Sequence, residues 1–230
     1  MCHFGLVPYS DGVELQETLR ARRQAGEIAD TLLLLEHPPT YTVGRRAAAE
    51  ELPFPESFYA EKGIEVHATD RGGRITYHGP GQLVGYPIMA VGDVHRHLRL
   101  MEAALIAALG ATGVGARSRH AEGIDYTGVW VAERKIASIG VHLSRGVSTH
   151  GFAVNVENDL EPFSWVVACG LPGVRMTSLA AETAGTAEGL RCFRKRVAHA
   201  FCSAHGARQR LVGPQRLGIE LPAPAVAVAA

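Results

Sequence analysis

The chain has 230 residues, enough for one large domain or two small ones, and 47% of them are hydrophobic, as in ordinary globular proteins. Twenty-three Lys and Arg residues balance 23 Asp and Glu residues, so no global charge favours nucleic-acid binding, and any partner must be recognised by a local patch. The apolar runs are far shorter than the roughly 18 residues of a membrane span. The first residues also lack the basic and apolar regions of a secretory signal.

The four cysteines indicate a reducing compartment. Cys192 and Cys202 are predicted to share one helix, where ten residues of spacing correspond to about 15 Å of rise. That separation is too large for a disulfide, and Cys2 and Cys169 stand apart. Unpaired thiols are typical of the cytoplasm, which is the predicted location.

The first half of the chain alternates helix and strand signals. Residues 11–28 are predicted to form a helix, with Asp11 as its N-cap and Glu14 completing a capping box. Residues 30–44 contain two strand-like runs that are broken at Pro38 and Pro39. Residues 63–70 alternate like a half-buried strand, and a further strand is predicted over 83–90.

The second half predicts one helix, a meander and a closing helix. Between Asp93 and Gly110, apolar residues recur at helical spacing. Residues 127–156 contain three strand-like runs joined by short turns, and a helix follows Thr186. This order favours an α+β fold, with a mixed, largely antiparallel sheet and packed helices. We expect a single domain over 1–230, with a frayed tail from about residue 220.

Residues 71–87, RGGRITYHGPGQLVGYP, are dense in glycine. The spacing G-x-G-x-x-x-G of Gly79, Gly81 and Gly85 differs from the dinucleotide fingerprint, and no phosphate-loop pattern is present. The glycines alone favour a hairpin turn at residues 79–81. Polar side chains of several types around them favour a binding site on a loop, namely Arg71, Thr76, Tyr77, His78 and Gln82.

Small residues share one face of two neighbouring strands. Ser138 and Gly140 are predicted to face the side of the strand opposite to Ile139. On the next strand, Gly151 and Ala153 are predicted to face the side opposite to Phe152. Such a face either leaves a channel for a slim, extended ligand such as an acyl chain or lets another element pack closely. Parity alone favours the close packing of another element.

Cys169 follows an apolar run and precedes Gly-Leu-Pro-Gly, so it is predicted at the point where a regular element gives way to a loop. A thiol there becomes a nucleophile only beside a cationic or polar neighbour. Lys135, in a predicted turn, is one candidate among several cations, although a turn lysine is ordinarily solvated. No metal site is predicted, because His78, His142 and His150 are scattered.

Four blocks of the sequence resemble, in order and spacing, the motifs of the lipoyl(octanoyl) transferases, also called lipoate-protein ligase B. The blocks are RGGRITYHGPGQLVGYPI, GVWVAERKIASIGVH, THGFAVNV and ACGLPGVRMTSL, and the resemblance runs from about Thr31 to Leu179. It implies the fold of biotin and lipoate ligases. It also implies transfer of an octanoyl or lipoyl group from acyl carrier protein to a specific lysine of lipoyl domains, without a cofactor.

The resemblance implies roles for individual residues. Cys169 is expected to be the nucleophile that forms an acyl-thioester, and Lys135 the partner that activates it. The residues expected to line the substrate site are Arg71, Gly72, Gly73, Arg74, Ile75, Thr76, Tyr77, His78, Ser138, Ile139, Gly140, Gly151, Phe152 and Ala153. The implied acceptors are lipoyl domains of 2-oxoacid dehydrogenase subunits and the glycine cleavage H protein, and a monomer is expected.

Two other functions remain open from the sequence, and a third is disfavoured. An ATP-dependent lipoate or biotin ligase on the same fold would need a phosphate-binding loop and no nucleophilic cysteine. A non-catalytic acyl-binding protein would form no covalent adduct. A papain-like hydrolase would need a Cys-Gly-Ser-Cys-Trp-like context, which is absent.

Overall fold

A computed structural model describes residues 1–171, 173–186 and 188–219, except that of Cys169 only the backbone is described. The predicted tail from residue 220 therefore lies outside the described residues. The main sheet has eight strands. In spatial order they are β1 (Cys2–Leu6), β2 (Thr31–Glu36), β6 (Gln82–Ile88), β10 (Val147–Asn155), β9 (Arg134–Ser144), β8 (Gly128–Val131) and β7 (Arg117–Ser118), with β11 (Arg175–Met176) paired to β9.

A second, three-stranded sheet lies beside the main sheet. Its order is β4 (Glu65–Ala68), β3 (Thr40–Val43) and β5 (Ile75–His78). The helices are α1 (Tyr9–Gln24), α2 (Glu56–Glu61), α3 (Val94–Gly110), α4 (Leu179–Glu182) and α5 (Leu190–Ala204). Among the named strand pairs only β1–β2, β3–β4 and β9–β11 are parallel, so the predicted α+β fold with a mixed, largely antiparallel sheet is confirmed.

The run TLLLLE of β2 shows how the main sheet is buried on both faces. Leu32 and Leu34 join the core formed with α3 and α5, whereas Leu33 and Leu35 join the core formed with α1. Because successive strand side chains point to opposite faces, a continuous apolar run is what a strand covered on both sides requires. A third core joins the small sheet to α2 and to the segment around Phe163.

Most predicted elements are present, and the structure adds β1, α2, β7 and β11, which were not predicted. The first helix and the glycine-dense segment differ from their predictions. The first helix starts at Tyr9, after Pro8, and no side chain caps it, so the predicted Asp11 cap was wrong. Proline fixes its own φ and lacks an N–H, which suits a helix start. The glycine-dense segment contains β5, which was not predicted, and the turn at residues 79–81 joins strands of different sheets rather than a hairpin.

The free cysteines in the described part of the chain are Cys2, Cys192 and Cys202. Cys192 and Cys202 share α5, as predicted. No helix among the described residues is long and apolar enough to cross a membrane.

Candidate active site

A cavity of about 350 Å³ lies over the middle of β9 and β10. Most of the residues that the sequence predicted for the substrate site line it, together with Lys135. They are Arg71, Gly72, Gly73, Arg74, Ile75, Thr76, His78, Ser138, Ile139, Gly140, Gly151, Phe152 and Ala153. Their role in binding stays a prediction, but the fold brings these separate segments to one place.

The small residues face each other across β9 and β10. Gly140 pairs with Gly151, and Ser138 pairs with Ala153. A Cβ atom at Gly140 would lie 2.5 Å from the carbonyl oxygen of Gly72, because the Gly72 segment crosses β9 there. Both sequence alternatives are therefore present, since another segment packs closely at Gly140 and a cavity runs beside it.

Arg71 fixes the loop that carries Gly72. Its guanidinium donates to the Thr42 carbonyl at 2.6 Å and to the Arg74 carbonyl at 2.7 Å. The Gly72 N–H donates to the Val141 carbonyl at 2.9 Å, which joins the loop to the edge of β9. The buried guanidinium therefore ties the loop to the small sheet, and the Gly72 N–H ties it to the main sheet.

Tyr77 differs from the other residues predicted for the site. Its side chain packs edge-on against Phe163 and beside Tyr41, in the core of the small sheet, and it does not line the cavity. Successive residues of β5 point to opposite faces, so Thr76 and His78 reach the cavity whereas Tyr77 points into the small-sheet core. Ile75, at the start of the strand, belongs to that core and also lines the cavity.

His78 is a neutral, fully buried imidazole. Burial lowers its pKa well below the usual value. Its Nδ1 lies 2.8 Å from Gln82 Oε1, and Gln82 Nε2 donates to Asn155 Oδ1 at 3.0 Å. Because Nδ1–H donates to Gln82, Nε2 is left as an acceptor toward Thr42, 3.4 Å away. His78 is thus held in one orientation at the cavity wall.

A β-bulge directs Lys135 into the cavity. Val129 pairs with Ala137 but Trp130 pairs with Lys135, which leaves Ile136 as an extra residue. Ile136 and Ala137 both join the α3–α5 core, so Lys135 falls on the side of Ser138. Bulges re-aim side chains in this way and are frequent beside active sites.

Lys135 is 2% exposed, unlike an ordinary turn lysine. It lies within β9 rather than in the turn, and its Nζ stands 5.3 Å from the centroid of the Trp130 ring. Lysine is rarely buried without a functional or structural reason, because desolvating the ammonium is costly. This burial separates Lys135 from the exposed cations of the chain.

Cys169 lies in a single helical turn, Ala168–Gly170. Its side chain is outside the described part of the structure, so the predicted pairing with Lys135 stays a prediction. The neighbouring backbone is described: the Arg74 side chain lies against Gly170, and Arg74 lines the cavity. Further on, Thr177 N–H donates to the Lys135 carbonyl at 2.9 Å, which fixes the segment after Cys169 beside Lys135.

Several cavity residues were not predicted from the sequence, among them Tyr9, Tyr86 and His150. His150 has φ +55°, its N–H donates to Gln16 Oε1 at 2.6 Å, and its Nε2 lies 2.8 Å from Asp70 Oδ1. The bond to His150 holds the pKa of Asp70 below its usual value. A histidine within a strand gives no sequence signal for positive φ, so this site feature could not be read from the pattern.

The mixed sheet, the cavity walled by small residues and the buried lysine define an α+β protein with a ligand-sized site on its main sheet. A family model described as the lipoyl protein ligase A/B catalytic domain matches residues 8–202. The chain is 50% identical over 182 residues to an octanoyltransferase of Rubrobacter xylanophilus, covering 77% of this chain and 80% of that protein. It is 42% identical over 183 residues to a mitochondrial octanoyltransferase of Arabidopsis thaliana, covering 78% and 77%. The chain therefore belongs to the lipoyl protein ligase A/B catalytic-domain family, and the resemblance of the four blocks is confirmed.

Solved structures agree on the fold. A lipoate-protein ligase A bound with ATP superposes with a TM-score of 0.74 at 18% identity, covering 94% of this chain and 90% of that chain. A biotin protein ligase from Aquifex aeolicus gives a TM-score of 0.51 at 13% identity, covering 89% and 68%. The predicted likeness to the biotin and lipoate ligase fold is confirmed. At such low sequence identities these structures support the fold and not the function.

Proposed function

We propose that the protein is an octanoyltransferase. It moves an octanoyl or lipoyl group from acyl carrier protein to a specific lysine of a lipoyl domain, through a thioester on Cys169. The observation that carries this proposal is Lys135, which is buried and aimed by a bulge into a cavity walled by small residues. The relatives named octanoyltransferase indicate that the acyl group held in such a cavity is an octanoyl group.

In the first half-reaction the Cys169 thiolate attacks the carbonyl carbon of the incoming thioester. A new carbon–sulfur bond forms, the old one breaks, and the carrier thiolate takes a proton from the Lys135 ammonium and leaves as the thiol, which leaves Lys135 neutral. A cation near Cys169 favours the thiolate over the thiol. Exchange of one thioester for another is nearly balanced, so no nucleotide is needed.

In the second half-reaction the acceptor amine attacks the acyl-enzyme. The amide bond forms, the bond to Cys169 breaks, and the amine must lose a proton. Lys135 in its neutral form is the proposed base, and a proton acceptor is most effective when it is within hydrogen-bond reach of the reacting atom. The product leaves and the Cys169 thiolate is restored.

Two alternatives are separated by simple measurements. An ATP-dependent ligase would transfer nothing from a thioester donor and would require nucleotide. A non-catalytic acyl-binding protein would hold octanoyl groups without a covalent bond. Transfer with nucleotide omitted, together with a covalent intermediate, distinguishes the proposed function from both.

The experiment is intact-mass analysis after incubation with octanoyl-acyl carrier protein and no acceptor. We expect one octanoyl group on Cys169, which peptide mapping would locate, and its discharge when a lipoyl domain is added. Cys192→Ser is the matched control, because Cys192 is an exposed thiol on α5. An active enzyme whose only adduct maps to Cys192 or Cys202 would refute the proposed nucleophile.

The remaining expectations are part of the same proposal. The acceptors are lipoyl domains of 2-oxoacid dehydrogenase subunits and the glycine cleavage H protein, the enzyme acts as a monomer, and it works in the cytoplasm. Size-exclusion chromatography with light scattering tests the monomer, and acceptor panels test the partners.

A further inference from the structure

The mouth of the cavity is marked by those lining residues that are exposed. They are Arg46, His95 and Ile124, and the Ile124 side chain is 64% exposed. Lys135 marks the interior, since it is 2% exposed. Arg46 therefore stands at the mouth of the cavity and Lys135 in its interior.

The lining of this cavity carries an excess of positive charge. Among the described lining residues, Arg46, Arg71, Arg74 and Lys135 are cations and Asp125 is the carboxylate. The chain as a whole has no net charge, so the excess is local. An octanoyl chain is apolar and requires no cation, so a lining cation whose charge is not already met inside the fold points to an anionic group elsewhere in the substrate.

Arg46 is the cation best placed to take a new anion. Arg71 is buried against carbonyl groups, and Arg74 contacts the Glu51 carboxylate. The Arg46 side chain is 38% exposed, and its Nη2 lies 2.9 Å from Asp125 Oδ1. Such a half-exposed ion pair contributes little stability, so a competing anion can replace Asp125 at small cost.

Asp125 keeps a partner if Arg46 moves. Arg74 Nε lies 3.4 Å from the same Asp125 oxygen. The backbone of Arg46 is held independently, because its N–H donates to the Gly73 carbonyl at 3.0 Å. The guanidinium can therefore exchange Asp125 for an anion in the mouth without moving the loop.

We propose that Arg46 binds the phosphate of the acyl donor. This inference rests on the proposed function, in which the acyl group arrives as a thioester on a carrier protein. Such a thioester stands at the end of a phosphopantetheine arm, with the reacting carbon deep in the cavity and the phosphodiester nearer its mouth. Phosphate accepts a bidentate pair of bonds from a planar guanidinium, which is stronger and more specific than a point contact.

The test compares two small donors, octanoyl-4′-phosphopantetheine and octanoyl-pantetheine, which differ only in the phosphate. The readout is the ratio of kcat/KM for the two donors with a lipoyl-domain acceptor. We expect Arg46→Gln to lower this ratio about tenfold, because a charge-assisted hydrogen bond is lost. Arg46→Lys should retain part of the ratio, as a charge without the bidentate geometry.

Arg45→Gln is the matched control, because Arg45 is the exposed neighbour of Arg46 and does not line the cavity. It should leave the ratio unchanged. An equal loss for both donors in Arg46→Gln would overturn the inference and leave octanoyl transfer intact. A loss seen with octanoyl-acyl carrier protein but not in the small-donor ratio would also overturn it, since Arg46 would then contact the carrier protein itself. Absence of transfer from every donor in the unmodified protein would overturn the proposed function and this inference together.

Discussion

Gly140 and Gly151 face each other across β9 and β10, and the Gly72 carbonyl oxygen occupies the place of a Gly140 side chain. The missing Cβ thus serves two purposes. It lets the loop that begins at Arg71 cross the sheet, and it leaves room for the cavity beside the crossing. The sequence alternatives of a channel and of close packing describe one arrangement.

This relationship predicts that Gly140→Ala displaces the loop. Its Cβ would stand 2.5 Å from Gly72 O, so the backbone must shift, at a cost of about 1–3 kcal/mol. Urea unfolding measures the free energy, and octanoyl transfer should fall with it. Gly5→Ala in β1 is the matched control, because no atom lies within 4 Å of a Cβ there. Equal free energies of unfolding for the two variants would show that the close approach of the Gly72 loop does not require a glycine at position 140.

A second prediction concerns acid. Burial lowers the pKa of His37 to about 4, and the neutral ring is satisfied on both sides, by the Val7 carbonyl at Nδ1 and by the Tyr86 hydroxyl at Nε2. The unfolded histidine titrates near 6.5, so the unfolded state binds a proton first as the pH falls. The contribution of His37 to the free energy of unfolding should therefore be constant above pH 6.5 and decrease as the pH falls from about 6.5 to 4.

His37→Gln should flatten that decline by about 1.4 kcal/mol per pH unit, the contribution of one proton. Glutamine can donate to the Val7 carbonyl and accept from Tyr86, so the fold is retained. Urea titrations at several pH values supply the slope. His199→Gln, at an exposed position on α5, is the control and should leave the slope as it is. A parallel pH profile for the two variants would exclude His37 as a source of acid sensitivity.

The sequence predicted the fold well where periodicity carries the information. The pattern that predicts a strand lies within the segment itself for residues 63–70, for the buried run of β2 and for the three meander strands. It missed β5, because the glycines around it indicate turns more strongly than its four residues indicate a strand. The Asp11 cap failed for a related reason, since Pro8 starts the helix earlier.

The candidate site was predictable in composition but not in geometry. The resemblance supplied the residues, but no sequence pattern predicts the bulge at Ile136 that buries Lys135. Without the resemblance, Lys135 would be predicted to be a solvated lysine in a turn. Tyr77 was assigned to the site with its neighbours, although strand alternation turns it into the small-sheet core. The Arg46–Asp125 contact joins residues 79 positions apart, which no local pattern reveals.

A third prediction concerns the support behind Lys135. Arg134 donates to both oxygens of Glu182 at 2.9 Å, and Thr177 Oγ1 donates to Glu182 Oε1 at 2.5 Å. Glu182→Gln removes the negative charge that Arg134 and Thr177 share, and it should weaken the hydrogen bond from the Thr177 N–H to the Lys135 carbonyl. We expect a several-fold lower kcat with KM little changed, and about 1 kcal/mol less stability. Glu133→Gln, whose side chain is 62% exposed in the adjoining turn, is the control. A stability loss without any change in kcat would mean that these contacts of Glu182 are structural only.

The last prediction concerns the charge of Lys135. If the ammonium lies near Cys169, it lowers the thiol pKa from about 8.5, and every tenfold gain in the thiolate-to-thiol ratio corresponds to about 1.4 kcal/mol. The rate of Cys169 alkylation against pH measures the thiol pKa, with peptide mapping to exclude the exposed Cys192. Lys135→Met should raise the midpoint, because methionine has a similar length and carries no charge, and thermal unfolding of the variant checks that the fold is retained. Its two half-reactions should both slow.

Lys135→Arg separates the two roles of the lysine. Arginine keeps a positive charge but does not deprotonate, so the thiol midpoint should stay partly lowered while transfer to the amine is lost. The larger guanidinium must fit where the Lys135 side chain already stands 2.8 Å from a Cβ position at Gly128, so thermal unfolding has to accompany the kinetics. The measured quantity is the difference in alkylation midpoint between each variant and the unmodified protein. If the Met variant is alkylated with the same pH profile as the unmodified protein, Lys135 does not activate Cys169, and the buried lysine serves the β9 bulge instead.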